Sequence, residues 1–109
     1  MNATSLEKVI ILLEYGADPN IVNNDGLTAL MITQDIKIMK LLLDYGADVN
    51  AVDRNGMTAL MKAKTEEQSM LLLEAGAYVD AKDRNGMTAL MHARDPDQRR
   101  VLIEAGARR

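Results

Sequence analysis

His92 is the only histidine of this chain, and the carboxylate of Asp95 follows it three residues later. An imidazole and a carboxylate could together begin a metal site or an acid–base pair. No third ligand or nucleophile accompanies them, the chain contains no cysteine, and an aspartate at this point also fits the N-cap of a helix. The sequence therefore predicts no catalytic residue, no metal site and no cofactor, and it predicts that His92 lies on the surface.

Two series of glycines share one spacing. Each recurs every 30 residues: Gly26, Gly56 and Gly86 in the first series, and Gly16, Gly46, Gly76 and Gly106 in the second. No glycine-rich run leads into Lys-Ser or Lys-Thr, so a phosphate-binding loop is not predicted. A period of about 20–50 residues is typical of solenoids, in which stacked units bury what one unit cannot bury alone. The spacing therefore predicts a repeat protein, and it favours binding over catalysis.

Composition narrows the class of protein further. The 109 residues suffice for one domain, 48% of them are hydrophobic, and the formal net charge is −3. An acidic chain has no overall basic field for nucleic acid or anionic lipid, and the apolar run 9–13 is too short to cross a bilayer. Without cysteine, nothing requires an oxidising compartment. We therefore expect a cytoplasmic protein with no nucleic-acid or membrane partner.

Each repeat is predicted to hold one long and one short helix. Favoured N-cap residues precede the long helices, and a glycine follows each of them as a left-handed C′ stop. The predicted spans are 6–15, 36–45, 66–75 and 96–105, with the N-caps Ser5, Asp35, Thr65 and Asp95. Gln68 and Gln98 stand three residues after their caps and are predicted to complete capping boxes. The short helices, of little more than one turn, are predicted to begin after Thr28, Thr58 and Thr88.

Hairpin-like fingers and columns of leucines complete the predicted repeat. Asn55-Gly56 and its equivalents in the neighbouring repeats are turn signals, and the side chains of Asp18 and Asp48 are expected to brace the fingers through hydrogen bonds to the backbone. Three columns are predicted to form the core: Leu12, Leu42, Leu72 and Leu102; Leu13, Leu43, Leu73 and Ile103; and Leu30, Leu60 and Leu90.

These columns resemble ankyrin repeats over essentially the whole chain. The family's T-P-L-H-x-A stretch corresponds to T-A-L-M-I-T, T-A-L-M-K-A and T-A-L-M-H-A, and its L-L-x-x-G-A-D-x-N stretch corresponds to L-L-E-Y-G-A-D-P-N, L-L-D-Y-G-A-D-V-N and L-L-E-A-G-A-Y-V-D. The resemblance implies an all-α solenoid of stacked helix-turn-helix units joined by fingers. It also implies a single domain over 1–109, with a partial repeat over 1–20, repeats over about 21–50 and 51–80, and a C-terminal capping repeat over about 81–109.

The chain departs from the family pattern in three ways. Its period is 30 residues where 33 is usual, as in short bacterial ankyrin repeats, so a bacterial source is expected. Met31, Met61 and Met91 replace the histidine of T-P-L-H. In the family that histidine hydrogen-bonds to neighbouring backbone, and apolar packing is expected to substitute for it here. The chain also begins in mid-repeat.

The two ends of the chain differ in polarity. Arg99 and Arg100 give the last helix a polar face, as a terminal repeat requires. The first predicted helix is apolar on more than one side, through Leu6, Val9, Ile10 and Ile11. Two interpretations stay open: upstream repeats have been removed, or another chain covers this face, including a second copy by self-association.

Applied column by column, the resemblance implies a binding surface on the fingers and short helices. Its predicted residues are the finger tips Asn24, Asp25, Arg54, Asn55, Arg84 and Asn85, the following Leu27, Met57 and Met87, and the exposed helix positions Ile32, Lys62 and His92, with Gln34, Lys64 and Arg94 nearby. This concave strip is apolar in the middle and basic toward the C-terminal half. We therefore expect a protein or peptide partner with acidic and apolar residues.

Structural interpretations of the same residues stay open. Arg54 and Arg84 could be solvated tip residues or could pair with Asp53 and Asp83, and the methionines that follow the finger glycines could fold back on the neighbouring finger. Two functions are carried forward. One is a non-catalytic protein-binding module, and the other is an ankyrin segment of a larger regulatory or effector protein whose activity lies outside this chain.

Overall fold

The computed structural model describes residues 14–16 and 18–106, and short and long helices alternate along them. The helices are α1 (Ala29–Ile32), α2 (Ile36–Asp44), α3 (Ala59–Lys62), α4 (Glu66–Glu74), α5 (Ala89–His92) and α6 (Pro96–Glu104). Within the described ranges, the only β pairing is a single antiparallel bridge between Val22 and Thr28. The predicted all-α architecture is confirmed. The predicted helix over 6–15, its cap Ser5 and its apolar face lie outside the described residues, apart from Glu14 and Tyr15.

The long helices begin at the predicted caps. The carboxylate of Asp35 accepts the N–H of Lys37 at 2.8 Å, Thr65 Oγ1 accepts the N–H of Gln68 at 3.2 Å, and Asp95 accepts that of Gln98 at 3.1 Å. These bonds satisfy N–H groups that have no partner within the helix. Each helix ends one residue earlier than predicted. The glycine that follows the cap, such as Gly46 with φ of 95°, takes up the left-handed conformation that stops the helix.

The short helices are single turns that begin at threonines, as predicted. In α3, Thr58 Oγ1 accepts the N–H of Met61 at 3.3 Å, and the four residues Ala59–Lys62 complete the helix. Thr28 and Thr88 cap α1 and α5 in the same way. A single turn has little stability of its own, so these helices depend on packing against their neighbours.

Stacking buries the predicted leucine columns. Each long helix contacts the next long helix, and each short helix contacts the next short helix. The side chains at the centre of the stack are almost fully buried: Leu30, Leu42, Leu60, Leu72, Leu90 and Leu102. The predicted column of Leu43, Leu73 and Ile103 lies at the edge of this core, because Leu43 and Leu73 are half-buried. The prediction that Ile103 belongs to the core is wrong, because its side chain is 44% exposed. Leu12 and Leu13 of the predicted columns lie outside the described residues. The core therefore runs continuously through the repeats.

Backbone hydrogen bonds close each finger, and one of them joins the second finger to the third. In the second finger the N–H of Asp53 donates to the carbonyl of Met57 at 3.0 Å, and the N–H of Arg84 in the next finger donates to the carbonyl of Asn55 at 2.9 Å. Gly56 has a φ of 75°, and a Cβ there would lie 3.2 Å from the backbone nitrogen of Arg84. Glycine is therefore required at this turn both for its conformation and for the approach of the next finger.

Asparagine side chains bridge successive repeats below the fingers. The amide of Asn20 donates to the carbonyl of Gly46 at 3.2 Å and accepts the N–H of Asp48. Asn50 repeats both bonds with the carbonyl of Gly76 at 3.1 Å and the N–H of Tyr78 at 2.8 Å. The predicted bracing by aspartate is confirmed, since Asp48 accepts the N–H of Asn50 at 2.9 Å and Asp18 accepts that of Asn20 at 2.8 Å.

The predicted capping boxes of Gln68 and Gln98 are wrong. The side-chain oxygen of Gln68 accepts the N–H of Lys64, the residue before the cap, at 2.8 Å, and the side-chain N–H groups of both glutamines donate to the preceding repeat. The amide of Gln68 donates to the carbonyl of Gln34 at 3.0 Å. The amide of Gln98 donates to the carbonyl of Ala63 at 2.6 Å and to the hydroxyl of Ser69 at 3.0 Å. Both glutamines are buried. The physical reason is that a carbonyl left at the end of each short helix faces the next repeat and needs a donor there.

Candidate functional site: the concave groove

A groove of about 590 Å³ runs along the ends of the short helices and the segments that follow them. Three kinds of side chain line it. Met31, Met61 and Ala63 are apolar; Lys62, Lys64, His92 and Arg94 carry nitrogen bases; and Gln34, Gln98 and Asp95 are otherwise polar. The groove thus combines an apolar floor with more cationic than anionic side chains.

Two methionines supply the floor of this groove. Met31 and Met61 are 8% and 5% exposed, so each presents only a small part of its side chain to the groove. The sulfur of Met61 also accepts the backbone N–H of Thr58 at 3.5 Å. The expectation that apolar packing alone replaces the histidine of T-P-L-H is therefore corrected, since at this position a hydrogen bond to the backbone is retained by sulfur.

The wall of the groove is held to the second finger by Asp53. Its carboxylate lies 3.0 Å from the amine of Lys62 and accepts the N–H groups of Asn55 at 2.9 Å and Met57 at 3.0 Å. Burial raises the pKa of this carboxyl, but the hydrogen bonds from Met57, Lys62 and Asn55 outweigh burial and bring the pKa below its usual value. The carboxylate therefore stays charged and links the turn to the end of α3.

The third finger repeats this arrangement with a different base. Nε2 of His92 lies 2.8 Å from the carboxylate of Asp83, which also accepts the N–H groups of Asn85 at 2.8 Å and Met87 at 2.9 Å. The hydrogen bond from Met87, then that from His92, lowers the pKa of Asp83 against the effect of burial. Asp83 is therefore a charged acceptor for both the turn and the imidazole.

A family model for ankyrin repeats, in three copies, matches residues 1–83 and 33–108. The chain belongs to the ankyrin repeat family. No curated protein matches it in sequence. Ankyrin repeats are in general protein–protein interaction modules, and the family is typically non-catalytic.

In these ankyrin repeats the predicted helix positions differ in exposure. Ile32 is 56% exposed, whereas the side chains of Lys62 and His92 are only 26% and 23% exposed. Lys62 and His92 are therefore less exposed than predicted, although both still reach the surface at the groove. Both are half-buried because each reaches the aspartate of its own finger, and a finger aspartate is absent beside Ile32, where the equivalent residue is Asn23.

The predicted finger tips lie at the turns, and all six of their residues are exposed: Asn24, Asp25, Arg54, Asn55, Arg84 and Asn85. The alternative in which the arginines pair with Asp53 and Asp83 is wrong, because Lys62 and His92 occupy those carboxylates. Within the described residues, neither guanidinium makes an ion pair.

The apolar residues that follow the finger glycines are half-buried: Leu27, Met57 and Met87. Leu27 and Met57 pack against the hydrophobic core. Their contribution to a binding surface is therefore limited to the edge of each side chain.

Several groove residues are not among the site residues that the sequence predicts. The sequence places Met31 and Met61 in the apolar packing, Gln98 in a capping box and Asp95 at a helix cap, yet all four also line the groove. The methionine that replaces histidine in T-A-L-M is the sequence feature that could have predicted the apolar floor of the groove. Lys64 and Arg94, predicted only as neighbours of the strip, lie in the wall itself.

The described part of the chain offers little for chemistry other than binding. It contains no group of three or more side chains able to hold a metal ion. None of its helices is long and apolar enough to cross a membrane. Two of its charged pairs, Lys62 with Asp53 and His92 with Asp83, join a finger to a short helix and hold the wall of the groove in place.

Proposed function

We propose that this ankyrin repeat chain binds a protein or peptide in its concave groove, and that the bound segment carries acidic and apolar residues. The observation that carries the proposal is the combination, in one groove, of the methionine floor with Lys64 and Arg94. Both of these side chains belong to exposed residues, and neither makes an ion pair within the described residues.

Charge favours an acidic occupant. Lys62 and His92 face carboxylates of the fingers, so the positive charge available to a ligand comes from Lys64 and Arg94 in the wall. Asp95 opposes them, but its carboxylate caps α6. Complementary charge of this kind steers association and selects among partners.

The rigidity of the surface favours affinity. A backbone bond joins the second and third fingers, and the side chains of Asn20 and Asn50 join successive repeats, which favours one arrangement of the groove. A preformed surface binds without a large ordering cost. The main entropic cost of binding is therefore the ordering of the partner segment itself.

Charge reversal in the groove tests the proposal. The double variant Lys64→Glu with Arg94→Glu is expected to weaken capture of the partner from the native source by about tenfold or more, which corresponds to about 1.4 kcal/mol. Lys40→Glu is the control, because Lys40 is exposed on α2 and is not among the groove residues. Quantitative pull-downs and melting temperatures are measured for all three proteins.

Two outcomes would reject this binding site. One is equal capture by the wild type and the double variant. The other is an equal loss of capture in Lys40→Glu, which would indicate a general effect of net charge. A loss confined to the double variant, with an unchanged melting temperature, supports the groove.

A further inference from the structure

The two described finger–helix pairs differ in the chemical type of their base. Asp53 faces Lys62 at 3.0 Å and Asp83 faces His92 at 2.8 Å, at equivalent positions of successive repeats. A lysine amine keeps its charge throughout the physiological range, whereas histidine is the side chain that ordinarily changes charge between roughly pH 5 and 8. One wall position of the groove therefore carries an amine, and the equivalent position one repeat later carries an imidazole, the type of side chain whose charge ordinarily depends on pH.

The proton that switches the charge has a defined place. A carboxylate can only accept hydrogen bonds, so Nε2 of His92 carries a hydrogen toward Asp83 in both protonation states. Acidification adds the second proton to Nδ1 of the same ring. The contact with Asp83 is then preserved, and the pair changes from a net charge of −1 to zero without a change of partner.

We propose that His92 makes ligand binding in this groove pH-dependent, so that an acidic protein segment binds more tightly as His92 becomes protonated. This inference rests on the proposed function. His92 lines the groove together with Lys64 and Arg94, so the added charge lies beside the cations assigned to the ligand's carboxylates.

The charged surroundings of His92 set the direction of the effect. The carboxylates are Asp83, in the finger, and Asp95, in the segment that leads into α6. The cations are Lys62 in the preceding short helix, Lys64 in the segment after that helix, Arg94 just before Asp95, and Arg99 in α6. Asp83 and Asp95 already accept other donors, Asn85 and Met87 for the first and Gln98 for the second. A new carboxylate from a ligand therefore meets mainly positive charge, which the imidazolium increases.

The expected size follows from one added unit charge. At about 7 Å in largely aqueous surroundings, Coulomb attraction changes affinity roughly three- to tenfold. Added salt is expected to reduce the effect, since exposed charges are screened within about 10 Å at 0.1 M salt. The switch would therefore modulate binding and would not abolish it.

The experiment uses a short fluorescein-labelled peptide of glutamate and leucine residues as the probe. Its affinity is measured by fluorescence anisotropy at about pH 8 and about pH 5.5, values that bracket ordinary histidine titration. His92→Lys reproduces the pair of the preceding repeat with a constant charge, and His92→Gln holds the position neutral. Lys62→His places a second switch in the equivalent position.

The wild type is expected to bind the probe roughly three- to tenfold more tightly at the lower pH. His92→Lys and His92→Gln are expected to lose this dependence, and Lys62→His is expected to increase it. The backbone amide resonances of Asn85 and Met87, whose N–H groups donate to Asp83, should follow the same titration in the wild type and not in His92→Lys.

The possible failures are distinguishable. Binding that depends on pH equally in the wild type and His92→Lys overturns the inference and leaves the proposed function standing. No binding of the probe at either pH rejects an acidic and apolar ligand in this groove, and the inference is rejected with it.

Discussion

The interior of the stack and its C-terminal end differ in two respects: the burial of the methionine in T-A-L-M, and the donor that bonds to the carbonyl after the short helix. Met61 is 5% exposed beneath the following repeat, whereas its equivalent in the last repeat, Met91, is 49% exposed. The carbonyl of Ala63 accepts a hydrogen bond from Gln98 of the next repeat. The equivalent carbonyl of Ala93 accepts one from Arg99 of its own repeat, at 3.2 Å.

Arg99 therefore supplies in the last described repeat what a glutamine of the next repeat supplies inside the stack. Its guanidinium also binds the carbonyl of Leu90 at 2.9 Å, so it satisfies two carbonyls at the end of α5. The equivalent residues in the interior are Met39 and Ser69, both buried. The predicted polar face of the last helix thus has a specific task, which is to satisfy backbone that stacking would otherwise cover.

The largest expected difference between the two regions concerns apolar burial. Leu72→Ala in the interior, where the side chain is fully buried, is expected to lower the free energy of unfolding by about 2–5 kcal/mol. Ile103→Ala at the end removes a side chain that is 44% exposed and should cost less than about 1 kcal/mol. Urea denaturation followed by circular dichroism compares them. Equal losses would contradict the difference in burial between Leu72 and Ile103.

The next difference concerns the buried donor between repeats. Gln98→Leu removes the amide that serves the carbonyl of Ala63 and the hydroxyl of Ser69, and leaving such groups unsatisfied is expected to cost about 1–3 kcal/mol. Gln34→Leu is the matched control, because the residue is exposed and contributes only its backbone carbonyl to Gln68. The control should change stability by less than about 0.5 kcal/mol in the same denaturation experiment. Similar losses for the two variants would exclude a special role for Gln98.

Gln98 shows what the sequence could and could not predict. The described helix caps, the turn glycines and two of the three leucine columns are predicted correctly, because each follows from a pattern that recurs in every repeat. In the remaining column Ile103 is exposed. The sequence assigns the side chain of Gln98 to the cap of its own helix, since Asp95 stands three residues before it. Its actual acceptor, Ala63, is 35 residues earlier. That distance becomes a contact only when the register between repeats is known.

The same limit applies to the candidate site. Asp95 is the carboxylate nearest to His92 in sequence, yet His92 binds Asp83, nine residues earlier. A one-turn helix brings its last residue back beside the finger that precedes it, and the spacing of the residues alone does not reveal this geometry. The sequence predicts the concave strip in outline, through Lys62 and His92, whereas the methionine floor becomes visible only in the three-dimensional arrangement.

A smaller effect is expected from Arg99, whose guanidinium donates to carbonyls of its own repeat. Arg99→Met should lower the free energy of unfolding by about 1 kcal/mol, because the carbonyls of Leu90 and Ala93 lose a charged donor. Arg100→Met is the control. It also removes one arginine, but its exposed guanidinium pairs only with Glu66 at 3.8 Å and Asp97 at 3.6 Å among the described residues, so it should cost less than about 0.5 kcal/mol. A cost for Arg100→Met equal to that of Arg99→Met would remove the distinction between them.

The smallest expected effect compares the interior finger with the last one at acid pH. The pKa of Asp53 and the pKa of Asp83 both lie below the usual value, so each carboxylate contributes stability above about pH 4 that is lost as the pH falls through its folded-state pKa. Melting temperatures of the wild type, Asp53→Asn and Asp83→Asn are measured from about pH 6 to about pH 2.5. Each variant should melt below the wild type at the upper end and approach it at the lower end. Since each carboxylate accepts two backbone N–H groups and faces one nitrogen base, the two variants should behave alike at the lower end. A persistent difference between the two fingers at acid pH would show that the bases hold them by more than charge.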